Sequence, residues 1–297
     1  MHSTFLAATM DFITCYVFGM RNGTNFLQNV AYREHWLQLY MSRHDYPFFP
    51  QELPRLTNFL RKVGLVPYPS WVDSANREME AWNDSMCRGA LEYIGEKAAD
   101  GRPEDTPVVA HALLAGLEKE HSSNGTSSIL YRTAGLHRDL TIKSELFDHV
   151  LAGQETAGVT LTYLAWQLSK RPELQEELSR ELLAMQPNMR VTENVEEPPM
   201  PDSRILDALP TLHAVVMEAL RLHAALPGPQ PRQTPYPFCH VGGYKIPGGV
   251  RIAALAHTLH RHELVFPNPE EFDHRRWMAD GADDGESDPV LAHGPTS

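Results

Sequence analysis

Glu155 and Thr156 stand side by side within an apolar run, Leu146 to Leu168, that reads LFDHVLAGQETAGVTLTYLAWQL. A carboxyl beside a hydroxyl can pass a proton in small steps, the work of a general acid. Ala152 and Gly153 lie just before the pair and Gly158 just after it. Each glycine inside a helix costs about 1 kcal/mol relative to alanine, so two of them need a reason. One reason is that something approaches the helix backbone closely beside the proton-handling pair. The other is a helix–helix crossing with small residues at the contact, and the run alone leaves both open.

A second candidate is Glu218 with Arg221, in the sequence EALR. Three residues apart on a helix, the acid and base share one face and can pair. Val215, Val216, Met217, Leu220 and Leu222 surround them, so this helix would bury the pair. A buried ion pair needs further partners. Residues 266–277, FPNPEEFDHRRW, begin with turn residues and end in arginines flanked by aromatics, offering a partner for Glu218. Residues 257–263, HTLHRHE, could suggest a metal site through His257, His260, His262 and Glu263. Their spacing matches neither the H-E-x-x-H motif nor its inverse. On a strand, His260 and His262 share a face and His257 does not. A surface strand-to-turn segment is the reading adopted, with no metal assigned.

These residues require a large helical body. Residues 5–19 carry apolar groups at helical spacing and end at Gly19, a natural stop. A helix over 30–41 puts Trp36, Leu37 and Tyr40 on one face. Prolines and aromatics crowd 46–70, around a short helix at 53–63. A helix over 73–98 has Asp73 or Ser74 as its cap, and another spans 108–120 before the loop HSSNGTSS. Thr141 could cap the central helix, which would run to about Lys170. Pro172 sits in the first turn of the next helix, where proline is tolerated. An acidic, proline-rich connector covers 187–203, and a helix over 211–223 carries Glu218 and Arg221. From Pro231 the texture changes to short β-prone runs between turn residues. The aromatics at 46–71 fit an apolar ligand or a core equally. The expected fold class is mainly α with a small β region. The helical body covers 1–226, the β region 227–280, and a frayed tail 281–297.

Composition narrows the function. A chain of 297 residues, 42% hydrophobic and 9% aromatic, can bury a large core and is not disordered. A net charge of -12 without a concentrated basic face excludes a nucleic-acid binder. Cys15, Cys87 and Cys239 share no pair spacing, so they form neither a zinc set nor a disulfide framework. That suits a reducing compartment. No segment reaches the roughly 18–20 uninterrupted apolar residues of a membrane span. The best run, Phe5 to Gly19, is broken by Thr9, Asp11 and Thr14 and lacks a basic leader. The sequons at Asn22, Asn83 and Asn124 are read as chance matches.

In this order, the motifs resemble the cytochrome P450 family in its fungal microsomal branch. AGQET (152–156) looks like that family's oxygen-activation motif, and EALR (218–221) like its E-x-x-R motif. LRLHAALPGPQPR (220–232), GGYKIPGG and TLHRHELVFPNPEEF are similar to the link, strands and meander that follow. DFITCYVFG (11–19) matches a helix that precedes the family's substrate-recognition helices. The resemblance implies haem as cofactor, an NADPH–P450 reductase as partner, and oxidation of a lipophilic small molecule, as in secondary metabolism. It implies that Thr156, with Glu155, bends the helix, holds water over the haem and relays protons to dioxygen. It implies that Ala152 and Gly153 face the haem. Glu218, Arg221 and Arg276 become a structural triad, and Arg232 the partner of a haem propionate, whose carboxylate suits a guanidinium.

Two departures shape the expectation. His274 and Arg275 stand where the family motif has a proline and a glutamate, and residues 278–297 hold no cysteine in a glycine-rich loop. The family's membrane anchor, first strands and propionate-contacting Trp/Arg helix also have no counterpart. The chain is expected to be an incomplete P450 domain, cut at both ends and inactive as it stands, since the proximal thiolate drives O–O cleavage. The alternative is a non-catalytic binding or regulatory relic. The sequence as written implies a cytoplasmic protein, and the full-length family implies the endoplasmic reticulum membrane.

Overall fold

The computed structural model describes residues 1–46, 48–95, 102–187 and 201–278. Two compact units divide it, Met1–Val159 and Thr160–Ser297. The boundary falls inside one helix, upstream of the change from helical to β-prone sequence.

In the first unit, α1 (His2–Phe18) stops at Gly19, whose φ of 85° is left-handed and whose N–H reaches the Cys15 carbonyl. The Asn29 side chain caps α2 (Val30–Asp45) by accepting from the Tyr32 N–H. The proline- and aromatic-rich stretch forms α3 (Phe48–Glu52) and α4 (Pro54–Lys62). Large apolar side chains there stay exposed, Phe48 and Phe59 among them, while Tyr68 is buried. α5 (Ser70–Gly95) begins before Asp73, so neither Asp73 nor Ser74 is its cap. Asp73 lies in the first turn, where the helix dipole favours an acid, and pairs with Arg61 at 2.7 Å.

α6 (Val108–Asn124) runs into the stretch expected to be a loop. Its polar residues bond back to the helix: Asn124 Nδ2 and Ser128 Oγ both donate to Glu120 Oε1. Gly125, at φ 51°, ends it. A turn of π-helix, Tyr131–Gly135, leads into α7 (Arg138–Ser169). Thr141 therefore lies inside α7, its N–H bonded to the His137 carbonyl, and is not the cap. The core gathers Met10, Phe18, Trp36, Cys87, Leu146 and Val150, from four helices.

The second unit continues with α8 (Pro172–Ala184), α9 (Ser203–Asp207) and α10 (Pro210–Leu222), with prolines in the first turns of α8 and α10. Leu174, Val215, Ala219, Leu222 and Phe272 form its core. β1 (Pro229–Gln233) pairs antiparallel with β4 (Arg251–Leu255), and β2 (Phe238–Val241) with β3 (Tyr244–Pro247). Gly242, at φ 58°, turns the second hairpin. HTLHRHE is not a strand: α11 (Ala256–Leu259) and a turn occupy it, directing the His260 carbonyl to Arg221. Most of the acidic connector and the expected tail lie outside the described residues. Among the described residues no helix is long and apolar enough to cross a membrane. The fold is mainly α with small antiparallel sheets.

Candidate functional site

α7 carries the first group of candidates, and its two sides differ. A Cβ built on Gly153 would lie 2.6 Å from Cγ1 of Ile13, and one on Gly158 would lie 2.7 Å from Cδ2 of Leu6. Both glycines therefore pack against α1, the helix-crossing role. The Thr9 hydroxyl strengthens that crossing by donating to the Gln154 carbonyl at 2.8 Å. Gly153, expected to face the cofactor beside Ala152, has Ile13 in its Cβ direction. Ala152 itself is exposed. Thr156, one turn later on the same side, is half-buried and donates to the Ala152 carbonyl at 2.7 Å. Glu155 is also half-buried, and the Tyr40 hydroxyl donates to its Oε2 at 2.7 Å. A small side chain, a hydroxyl and an acid thus line one stretch of helix, the equipment for binding close to the backbone and moving a proton.

The second group is closed. Glu218 is fully buried and Arg221 nearly so. Arg221 grips both Glu218 oxygens through Nε and Nη2, each at 2.8 Å, the fork geometry that makes such pairs strong. Its remaining donors reach the carbonyls of His260 and Pro269 at 2.8 Å and of Glu271 at 3.1 Å. Glu218 also accepts from the Asp273 N–H at 2.9 Å, the Trp277 indole at 3.0 Å and Arg276 Nε at 3.4 Å. Burial pushes the Glu218 carboxyl up, but the bonds from Arg221, the Asp273 N–H and Trp277 outweigh it and hold the group below the ordinary glutamate value. The structure thus brings Glu218, Arg221 and Arg276 together. In the sequence the Trp277 indole is legible only as the end of an aromatic-flanked motif.

His223, just past α10, stacks on Tyr163 with ring centroids 4.3 Å apart and bonds Gln167 at 2.8 Å. Burial, then the charges of Arg261 and Arg221, lower its pKa. Arg232 is exposed on β1 and donates to the Pro231 carbonyl at 2.8 Å. The three cysteines are free. Burial pushes the Cys87 thiol up to about 11, with Asp84 adding to the effect. Burial also raises Cys15, and Cys239 is half-exposed on β2. Among the described residues no cluster of His, Cys, Asp and Glu could hold a metal ion.

The family model for cytochrome P450 matches residues 1–294. The chain belongs to the cytochrome P450 family. The cytochrome P450 monooxygenase orf2 of Aspergillus niger is 36% identical over 129 residues, covering 43% of this chain and 24% of that protein. The cytochrome P450 monooxygenase ankB of Aspergillus thermomutatus is 38% identical over 144 residues, 47% of this chain and 26% of its own. The chain therefore matches about a quarter of the length of these relatives. The crystal structure of cytochrome P450DA heme domain aligns with a TM-score of 0.60 over 94% of this chain and 52% of that one, at 19% identity. This likeness places the fold.

Proposed function

We propose that these residues are part of a haem-dependent monooxygenase that oxidises a lipophilic small molecule in fungal secondary metabolism. The observation that carries this reading is the pairing on α7: the Thr156 hydroxyl on the exposed Ala152 side, and the Glu155 carboxyl beside it, held by Tyr40. Haem in this family supplies oxygen activation through a thiolate-bound iron. The α7 residues fit a flat cofactor on the oxygen side, since Ala152 leaves room and Thr156 presents a hydroxyl. In this role Glu155 would take up a proton from solvent and the Thr156 hydroxyl would pass it on along the Ala152 side of the helix, accepting one proton as it gives up another. Ala152 keeps that side of the helix low. Glu218, Arg221 and Arg276 take no part in proton movement and hold the meander in place. Arg232 is assigned to a cofactor carboxylate on the family resemblance alone. An NADPH–P450 reductase is the proposed electron donor, and the endoplasmic reticulum membrane the proposed location of the full-length protein.

None of the three cysteines fits as the axial ligand. A ligand must be a thiolate, burial moves Cys15 and Cys87 the other way, and none of the three lies in the glycine-rich loop that the family resemblance requires. This favours a second reading, in which these 297 residues alone bind no haem through sulfur and act, if at all, as a non-catalytic binder. The reduced carbon-monoxide difference spectrum separates the two. These residues expressed alone are expected to give no thiolate-type Soret band, and a longer transcript product encoding a glycine-rich cysteine loop is expected to give one. A thiolate-type band from the 297 residues alone would refute the exclusion of these cysteines. A transcript without such a loop would leave the non-catalytic reading.

A further inference from the structure

One amide oxygen decides the protonation state of a histidine in the second unit. Gln167, on α7, is only 5% exposed, and its side-chain Oε1 accepts from Arg171 Nη1 at 2.6 Å. A guanidinium only donates, so turning the amide would set N–H against N–H. The amide Nε2 therefore faces His223 and donates to the ring Nε2 at 2.8 Å. That nitrogen accepts only while it carries no proton, so the ring is neutral with its hydrogen on Nδ1. The ring is also held flat on Tyr163 and edge-on to Trp166, with centroids 4.3 and 5.9 Å apart.

The charges around the ring are mostly positive. Arg221 of α10 is committed to Glu218, which gives the ring only a weak opposing pull. Arg261, after α11, donates to the Leu222 carbonyl at 2.7 Å and pairs with Glu270 at 3.0 Å. His260 beside it bonds the Arg221 carbonyl at 3.1 Å. Lys170 lies over the Trp166 ring, 3.5 Å from its centroid. None of these groups offers a protonated His223 an acceptor in place of the Gln167 amide.

We propose that Arg171, Gln167 and His223 form an acid-sensitive latch that ties the end of α10 to α7. With His223 neutral the latch is closed. A proton on Nε2 opens it, because the ring and Arg171 then compete for a single amide oxygen. Acid thereby frees the start of the link to β1, residues 224–228, from α7. The latch does not depend on the role proposed for Glu155 and Thr156.

Titration of the 297-residue chain by NMR tests this. The His223 ring line is the one lost in His223→Gln, and the Gln167 amide lines are those lost in Gln167→Met. The ring is expected to titrate below the ordinary value of 6.5, with the Gln167 amide lines moving at the same midpoint. A ring that titrates at or above 6.5, or an amide that stays still, overturns the proposal. Gln167→Met removes the opposing N–H without changing charge, so His223 is expected to bind its proton several-fold more tightly. An unchanged midpoint would mean that burial and charge alone keep the ring neutral, and it overturns the latch. Stability supplies a second readout with a definite sign. Because the folded value lies below the unfolded 6.5, the contribution of His223 is complete above 6.5 and is lost as pH falls through the folded value. A glutamine at this position accepts from Gln167 at every pH, so in His223→Gln that part of the acid loss in urea unfolding is expected to vanish. An acid loss that persists unchanged in His223→Gln overturns the proposal.

Discussion

Glu218 and Glu155 are both helical glutamates inside recognisable motifs, and the molecule treats them in opposite ways. Glu218 has no exposed surface and accepts from Arg221, Arg276, Trp277 and the Asp273 N–H. Glu155 is half-buried, bonded to a phenol at one oxygen, and neighbours an exposed alanine and a half-buried threonine. A carboxylate surrounded by fixed donors cannot change protonation or position cheaply, so it suits a structural role. One that borders accessible helix surface leaves room for a ligand beside it. Two similar motifs therefore separate, on burial and partners, into a clamp and the face we propose as the working one.

Breaking the clamp should have the largest effect. Glu218→Ala leaves the Arg221 guanidinium buried without its counter-charge, and removing one member of a buried pair costs about 3–5 kcal/mol. Urea unfolding followed by circular dichroism should show that loss, and a change below about 1 kcal/mol would mean the pair is replaceable by water. The same group predicts a pH dependence. The Glu218 carboxyl is held below its ordinary value of 4.5, so the unfolded chain takes up this proton first. Its contribution is complete above that value and is lost as pH falls through the lower folded value. In Glu218→Gln that part of the acid destabilisation should vanish.

The α7–α1 crossing should respond less. Gly158→Val places a branched side chain where a Cβ alone would lie 2.7 Å from Leu6 Cδ2 and 3.2 Å from the Leu6 Cα. Overpacking of this kind costs about 1–3 kcal/mol. Gly153→Ala meets only the side chain of Ile13, at Cγ1 (2.6 Å), Cδ1 (2.7 Å) and Cβ (3.1 Å), with no backbone atom among the near contacts. That strain opposes a gain of about 1 kcal/mol in helix propensity, so its net effect should be small. Thermal unfolding of both variants measures the difference, and equal costs would mean that α1 sits further from α7 than these distances require.

Much of the clamp is legible in the sequence. An acid and a base three apart in an apolar helix demand partners, and the only arginines flanked by aromatics downstream are 275 and 276. The indole of Trp277 carries no such signal, because tryptophan is an ordinary core residue until its N–H is placed. The working face is harder to read. Gly153 and Ala152 look alike as small residues in a sequence, whereas consecutive helix positions point about 100° apart and only Ala152 shares a side with Thr156. The helix starts at Ser70 and Arg138 are hidden for a related reason: Asp73 and Thr141 favour caps, yet each is also stable in a first or second turn. Tyr40 is legible as part of an apolar face on α2, but its hydroxyl bonds Glu155 across 115 positions of sequence, which no local pattern encodes.

Thr156 gives the smallest effect on stability and the sharpest contrast with Glu218. Its hydroxyl donates to the Ala152 carbonyl within its own helix at 2.7 Å, a bond that competes with the backbone and slightly disfavours the helix. Alanine also has the higher helix propensity, by up to about 0.7 kcal/mol. Thr156→Ala should therefore leave the unfolding midpoint unchanged or slightly raised, within about 0.5 kcal/mol, as for most substitutions away from tightly packed sites. A loss above about 2 kcal/mol would place Thr156 with the clamp, since losses of that size come from buried, fully engaged groups. Stability retained together with uncoupled turnover in the haem-loaded protein would place it on the working face, where a residue can be dispensable for folding and required for moving a proton.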